Sequence, residues 1–175
     1  MEELTAVPTA PDSRLILTAD DPELFRFPVA YIVEVGYWVP SESEVAALRS
    51  WLLKGGFLIV DDFRGDHFLN FERQLRRVLP GAHLQRLVGR EEIFDSFFHI
   101  EDPYGLIPPY EQQLAPVYLG VFEDNDPSRR LMVIANYNND LAEYWEFSDY
   151  GYYPIDLSNE AYKFGVNYII YGLTH

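Results

Sequence analysis

The sequence predicts a single α/β domain over residues 1–175, built on a mostly parallel sheet. Residues 29–35 and 57–60 are nearly continuous apolar runs, as in strands that are covered on both faces. A helical segment separates them, which is the order of a strand–helix–strand unit. A chain of 175 residues is long enough to bury one core of this kind.

The segment between these two strands carries the signals of a complete helix. Ser41 and Glu44 have the spacing of a capping box, in which each side chain accepts a hydrogen bond from the backbone N–H of the other. Apolar residues then recur at helical spacing from Val45 to Leu52. Gly55 follows at the point where a left-handed residue commonly ends a helix.

The rest of the chain continues the alternation of elements. The periodicity predicts a helical turn at 20–25, a helix at 67–79, an exposed strand at 83–88, a β-hairpin at 117–122 and 131–136, and a helix at 158–173. Ser158 is expected to cap the last helix. Residues 93–113 are rich in aromatic residues and proline, which predicts a long ordered loop, and loops of this length are often functional.

Composition excludes several classes of function. The net charge of −15, from 28 acidic and 13 basic residues, disfavours nucleic acid and anionic membranes as partners. The absence of cysteine excludes disulfides, thiolate metal sites and a cysteine nucleophile. Neither a signal peptide nor a transmembrane segment is predicted, because no apolar run has the required length. These features leave the cellular compartment open.

The first candidate site follows the strand at 57–60. In parallel sheets, ligands bind beyond the carboxyl ends of the strands, where Asp61 and Asp62 lie. Alternation places their side chains on opposite sides of the strand, so at most one faces a crevice. Asp61 or Asp62 is a candidate metal ligand or general base, with Arg64 and His67 beside them and His67 as ligand or acid. The alternative is structural: one aspartate caps the next helix and pairs with Arg64.

A second polar cluster follows the strand at 131–136. Asn136, Asn138 and Asp140 lie where a site rim is expected, although Asn and Asp are also ordinary turn residues. Trp145 follows closely, and carboxylates beside aromatic faces suit sugars or cations. We therefore take Asp61, His67 and Asp140 as catalytic candidates. The binding candidates are Asp61, Arg64, Asn136, Asn138, Asp140 and Trp145.

No metal site or cofactor is predicted. The four histidines lack ligand spacing, and no glycine-rich phosphate loop follows a strand. The carboxylates suit Mg²⁺ or Ca²⁺, but acidic pairs are common in so acidic a chain.

Four segments resemble an uncharacterised bacterial family, domain-of-unknown-function family 4159. They are Asp21-Pro22-Glu23-Leu24-Phe25, Gly55-Gly56-Phe57 through Asp61-Asp62-Phe63, Asn136-Tyr137-Asn138-Asn139-Asp140-Leu141 and Ala161-Tyr162-Lys163-Phe164-Gly165-Val166-Asn167. The resemblance covers nearly the whole chain. It implies a class I glutamine amidotransferase-like fold near the ThuA-like proteins, that is, a flavodoxin-like three-layer αβα sandwich. It implies no established activity.

Two expectations come from comparing this chain with that resemblance. Amidotransferase activity is excluded, because the chain has neither a cysteine nucleophile nor a Gly-x-Ser-x-Gly elbow. Members of the family usually carry a further strand and helix ahead of Leu4-Thr5, so we expect this chain to lack them. Either another element covers the exposed sheet edge, or the edge is unpaired and a second subunit could relieve it. We therefore predict a homo-oligomer.

Two classes of function stay open at this stage. The first is a non-catalytic α/β binding or assembly domain on an amidotransferase-like scaffold. The second is an enzyme, either carbohydrate-active or a metal-dependent hydrolase, that uses carboxylates at the strand ends; kinship with ThuA-like proteins suggests a carbohydrate or another small molecule as ligand. Convergence of Asp61, His67, Asn136 and Asp140 around one pocket, with perturbed pKa values, would favour the enzyme.

Overall fold

A computed structural model describes residues 15–110 and 113–175 as a mixed α/β fold with one five-stranded sheet and four α-helices. The strands are β1 (Val29–Val33), β2 (Phe57–Phe63), β3 (Gln85–Arg86), β4 (Val117–Phe122) and β5 (Leu131–Tyr137). The helices are α1 (Glu42–Leu53), α2 (His67–Val78), α3 (Leu141–Glu146) and α4 (Ile155–Thr174). Short 3₁₀ turns complete the connections.

The sheet has the strand order β1-β2-β5-β4-β3. The β1–β2 and β2–β5 pairs are parallel, whereas β5–β4 and β4–β3 are antiparallel. The predicted hairpin is therefore confirmed, but the sheet is mixed and not mostly parallel. The reason is the short connection at 123–130, since parallel neighbours need a longer crossover than this.

Two hydrophobic clusters take alternate residues of β2. Leu58 and Val60 pack into one cluster with apolar residues of α1 and α2. Phe57 and Ile59 pack into the other, with residues of α3, α4 and the loop at 93–106. Alternation along an extended strand explains this division, because successive side chains point to opposite faces. Burial on both faces accounts for the continuous apolar run that the sequence shows.

The local signals before β2 act as predicted. The Ser41 hydroxyl accepts from the Glu44 N–H at 3.2 Å, and the Glu44 carboxylate accepts from the Ser41 N–H at 2.8 Å. Gly55 follows the helix with φ of +114°, a conformation that side chains with a Cβ rarely adopt. The helical turn predicted near residue 20 is a 3₁₀ helix over Pro22–Arg26, capped by Asp21.

Two predicted elements differ from the structure, and one element was not predicted. The last helix begins at Ile155, so Ser158 is a buried residue of its first turn and not its cap. The strand at 83–88 is reduced to Gln85–Arg86. The short helix α3 was not predicted at all, because six residues are too few to show a clear periodicity.

In the part of the chain that the structure describes, no helix combines the length and the apolarity needed to cross a membrane.

Candidate functional site

The parallel pairing of β2 and β5 brings Asp61 and Asn136 together. Val60 lies opposite Ala135, and Asp61 and Asn136 directly follow these residues, before a register shift that leads to the Phe63–Tyr137 pair. The Asn136 Nδ2 donates to Asp61 Oδ1 at 3.0 Å, and neither residue is exposed. The Tyr168 hydroxyl of α4 donates to Asn136 Oδ1 at 2.9 Å. A buried polar chain therefore runs from β2 through β5 to α4.

The other carboxylate oxygen of Asp61 accepts three hydrogen bonds. The Tyr31 hydroxyl donates at 2.6 Å, the Leu141 N–H at 2.9 Å and the Ala142 N–H at 3.2 Å. The two backbone donors are the first residues of α3, whose N–H groups have no acceptor within the helix. We call Asp61 with its four donors the Asp61 network. It joins β1, β2, β5 and α3 through one side chain.

Asp140 completes the start of α3. Its Oδ1 accepts from the Glu143 N–H at 3.0 Å, so it is the N-cap of the helix. The first three N–H groups of α3 therefore all donate to an aspartate, two to Asp61 and one to Asp140. Such pairing also suits the positive end of the helix dipole. It explains why a helix of only six residues is stable at this position.

Both aspartates have unusual acidity because they are buried. Loss of hydration raises the pKa of Asp61 to about 6, although the hydrogen bonds from Tyr31 and Asn136 act in the opposite direction. Burial, and then the charge of nearby Asp61, raise the pKa of Asp140 to about 7. Burial and the Asp61 charge also raise the pKa of Tyr31, so that its hydroxyl keeps its proton and donates.

The remaining candidates after β2 lie apart from this network. Asp62 has a left-handed backbone, φ +49°, and burial followed by the charge of Glu34 raises its pKa. The Arg64 guanidinium lies 4.1 Å from the centre of the Tyr110 ring. His67 packs in an edge-to-face contact with Tyr37 at 5.1 Å between ring centres. Among the described residues, the donors to Asp61 do not include His67.

The His67 ring is closely packed against the backbone of Gly36. A Cβ placed on Gly36 would lie 2.3 Å from the His67 ring carbon Cγ, so only glycine fits against the ring there. The His67 Nδ1 is buried and has no hydrogen-bond partner among the described residues.

Asn138 and Trp145 also have structural contacts. Asn138 has a left-handed backbone, φ +59°, and its Oδ1 accepts from the Gly65 N–H at 3.3 Å. The Trp145 ring lies 6.2 Å from the Tyr31 ring and covers Gly165, where an added Cβ would come within 2.9 Å of the indole. Asn138 therefore fixes the turn after β5, as expected of a turn residue.

Beside β1 lies an apolar groove of about 420 Å³, which we call the β1 groove. Its walls are Val29, Ala30 and Tyr31 of β1, together with Trp145 and a face of α4 around Ile169. No charged side chain lines it. Neither Asp61 nor Asp140 lines this groove, but Tyr31 does, and its hydroxyl connects the groove to Asp61.

Residues 1–173 match the family described as Domain of unknown function (DUF4159). The chain belongs to this family. Comparison with curated proteins gives no match. The resemblance inferred from the four sequence segments is thereby confirmed at the level of the family.

In this DUF4159 chain, the structure unites only part of the set that the sequence predicted. Asp61, Asn136 and Asp140 share one buried region, whereas Arg64, His67 and Asn138 lie outside the Asp61 network. The sequence analysis missed Tyr31, which belongs to the network, and Tyr168, which donates to Asn136 of the network. An apolar strand with one tyrosine offers no sequence signal that the hydroxyl will meet a carboxylate 30 residues away.

Among residues 15–110 and 113–175, no three His, Asp or Glu side chains are grouped so that they could hold a metal ion.

Proposed function

We propose that this DUF4159 chain is a non-catalytic binding or assembly domain whose strand-end carboxylates hold the fold together. The observation that carries the proposal is the complete use of Asp61. Both of its oxygens accept hydrogen bonds from the chain itself, four in all, and the residue has no exposed surface.

Acid–base or metal chemistry would need an oxygen that a substrate or an ion can reach. A general base must come within hydrogen-bond distance of the proton that it removes. At Asp61 every donor is a group of this protein, and displacing one would free a Tyr31, Asn136 or backbone donor in a buried place. The cost of such an unpartnered group, about 1–3 kcal/mol each, argues for a structural role.

Binding through an apolar surface is the second part of the proposal. The β1 groove is lined without charge in a chain whose net charge is −15. Exposed apolar surfaces of this kind mark interaction sites on soluble proteins. Tyr31 and Val33 of the bordering strand are 42% and 40% exposed, which is unusual for a strand whose neighbours are buried.

A hydrolase is the alternative, and one observation favours it. The pKa values of Asp61 and Asp140 are raised to about 6 and about 7, as in carboxyl groups that exchange protons near neutral pH. Left-handed residues also end all three parallel strands: Glu34, Asp62 and Asn138. On this alternative, a carbohydrate or another small molecule would reach Asp140, which keeps 7% of its surface exposed.

The amidotransferase-like, flavodoxin-like scaffold near the ThuA-like proteins also belongs to the proposal. It is supported by three parallel strands with hydrophobic clusters on both sides of β2. The antiparallel β4 and β3 would then extend one side of that scaffold. Cysteine-dependent amidotransfer is not part of this function, since the chain has no cysteine.

The experiment measures hydrolysis and ligand binding on the same proteins. Wild type, Asp61→Asn and Asp140→Asn are incubated with glycosides, carboxylic esters and phosphate esters, each with and without Mg²⁺ or Ca²⁺. We expect no turnover that depends on either carboxylate, and no thermal shift with sugars or these ions. Asp62→Asn is the matched control, because it removes a neighbouring carboxylate outside the Asp61 network.

Turnover by the wild type that Asp140→Asn abolishes, with the fold retained by circular dichroism, would overturn the non-catalytic proposal in favour of the hydrolase.

A further inference from the structure

We propose that the β1 groove is completed by a second copy of this chain, whose β1 pairs antiparallel with the first β1 about a two-fold axis. This deepens the proposed function, on which it rests, by naming the partner. The two sheets of five strands would then join into one continuous sheet across the two copies.

The backbone of β1 is oriented for such a pair. The Phe57 N–H donates to the Pro28 carbonyl at 2.8 Å, and the parallel register continues from Val29 opposite Phe57. Successive residues of a strand direct their N–H and C=O groups to opposite sides. Ala30 and Ile32 therefore serve β2, while the backbone groups of Val29, Tyr31 and Val33 point away from it. Among the described residues, no strand pairs with β1 on that side.

The outward-facing positions are symmetric about Tyr31. With the axis at Tyr31, this residue meets its own copy, and Val29 of each chain meets Val33 of the other. Each such pair exchanges two hydrogen bonds in an antiparallel ladder. A two-fold contact requires a self-complementary surface. The edge of β1 meets this requirement, because its middle residue, Tyr31, faces outward and can pair with itself.

The side chains match as well as the backbone. Val29, Tyr31 and Val33 share one face of the strand by alternation, and Val29 and Tyr31 line the groove. Pairing would place valine against valine and tyrosine beside tyrosine on this face, which are favourable cross-strand neighbours. The exposed parts of Tyr31 and Val33 would be covered, and the partner's strand would close the open side of the groove.

Charge selects this surface over the rest of the molecule. Two chains of net charge −15 repel each other wherever acidic surfaces approach. The five residues of β1 and the walls of the β1 groove carry no charge. Contact along β1 therefore brings an uncharged strand and an uncharged groove together, and salt that screens the remaining repulsion should strengthen the dimer.

Sedimentation equilibrium of the full chain tests the proposal, at micromolar to sub-millimolar concentration and at low and high salt. We expect twice the 20.4 kDa mass of one chain, with tighter association at high salt. Val33→Asp should give a monomer, because the new charges would approach the partner's strand. Val39→Asp is the matched control: Val39 is 72% exposed and lies outside β1, so the dimer should persist.

Hydrogen exchange of the wild type provides a test that needs no variant. The amides of Val29, Tyr31 and Val33 should be protected at high protein concentration and exchange faster on dilution. A monomer at every concentration and salt, equal behaviour of the two aspartate variants, or a dimer whose β1 amides exchange freely would each overturn the proposal. Carboxylate-dependent hydrolysis, in contrast, would overturn the non-catalytic function and leave dimerisation standing.

Discussion

The Asp61 network and the outer edge of β1 share Tyr31 but differ in how their polar groups are hydrogen-bonded. On one side, the Tyr31 hydroxyl donates to a carboxylate whose oxygens are fully used. On the other, the backbone of Tyr31 faces away from β2, beside an uncharged groove. Tyr31 therefore belongs both to the Asp61 network and to the edge strand of the sheet.

On the proposed function, perturbed carboxylates alone would be a poor guide to function. The acidity of Asp61 is altered by burial, and burial here is the consequence of joining four elements of the fold. The edge of β1 has apolar surface, and among residues 15–110 and 113–175 no strand pairs with its outward-facing backbone groups. Unused interaction capacity, and not a shifted pKa, distinguishes the surface that we expect to bind.

Asp61→Asn should have the largest effect on this contrast. The new amide replaces one carboxylate oxygen by a donor, so that donors face each other in a buried place, and we expect a loss of about 3 kcal/mol in the free energy of unfolding. Denaturant titration measures it. Asp62→Asn is the control; it should change stability by no more than about 0.5 kcal/mol, since asparagine also tolerates the left-handed backbone found there. Equal losses in the two variants would show that Asp61 is not the structural centre.

Tyr31→Phe tests the Asp61 network without changing the backbone of the β1 edge. It removes the hydroxyl that donates to Asp61 but keeps the ring and the outward backbone, so we expect a loss of about 2 kcal/mol, typical of a hydrogen bond to a charged group. Dimerisation should remain. Denaturant titration and sedimentation are both needed, with Tyr37→Phe as control because Tyr37 is 74% exposed. A Tyr31→Phe variant that is monomeric but normally stable would show that the hydroxyl supports dimerisation and not the stability of the fold.

Asp140→Asn should show its effect in how the free energy of unfolding depends on pH. The pKa of Asp140 in the folded chain, about 7, exceeds its ordinary value of 3.8. The folded state therefore holds the proton more tightly, and the resulting stability is present below 3.8 and is lost as the pH rises through about 7. Asparagine keeps the helix cap without this titration. We expect a flatter pH profile and a higher free energy of unfolding than the wild type above pH 7.

Chemical denaturation across this pH range measures the Asp140 effect. Asp149→Asn, at an exposed position, is the control for removing one negative charge. A profile of Asp140→Asn that parallels the wild type would mean that Asp140 does not titrate in this range.

Local signals in the sequence were sufficient where a few neighbouring residues decide the structure. The Ser41–Glu44 capping box and Gly55 defined α1, and continuous apolar runs located β1 and β2. Ser158 shows the limit of such signals. A serine before an apolar stripe has the pattern of a cap, but packing against the second hydrophobic cluster extends α4 to Ile155.

The sequence predicted the approximate location of the candidate site but not most of its contacts. The position of Asp61 and Asn136 after apolar strands correctly suggested that they meet, because parallel strands end at a common edge. Their partners were beyond sequence reasoning, since Tyr31 and Leu141 lie 30 and 80 residues from Asp61 along the chain. His67 shows the converse, because closeness in sequence to Asp61 did not bring the two side chains together.

By itself, the sequence determined the family, the α/β class, the strand–helix–strand unit and the absence of cysteine chemistry, because these follow from residue types and short-range periodicity. Only the tertiary structure decided that Asp61 is enclosed by four donors and that the edge of β1 borders an uncharged groove. Both depend on which distant segments become neighbours, and that is fixed by how the strands and helices pack as a whole.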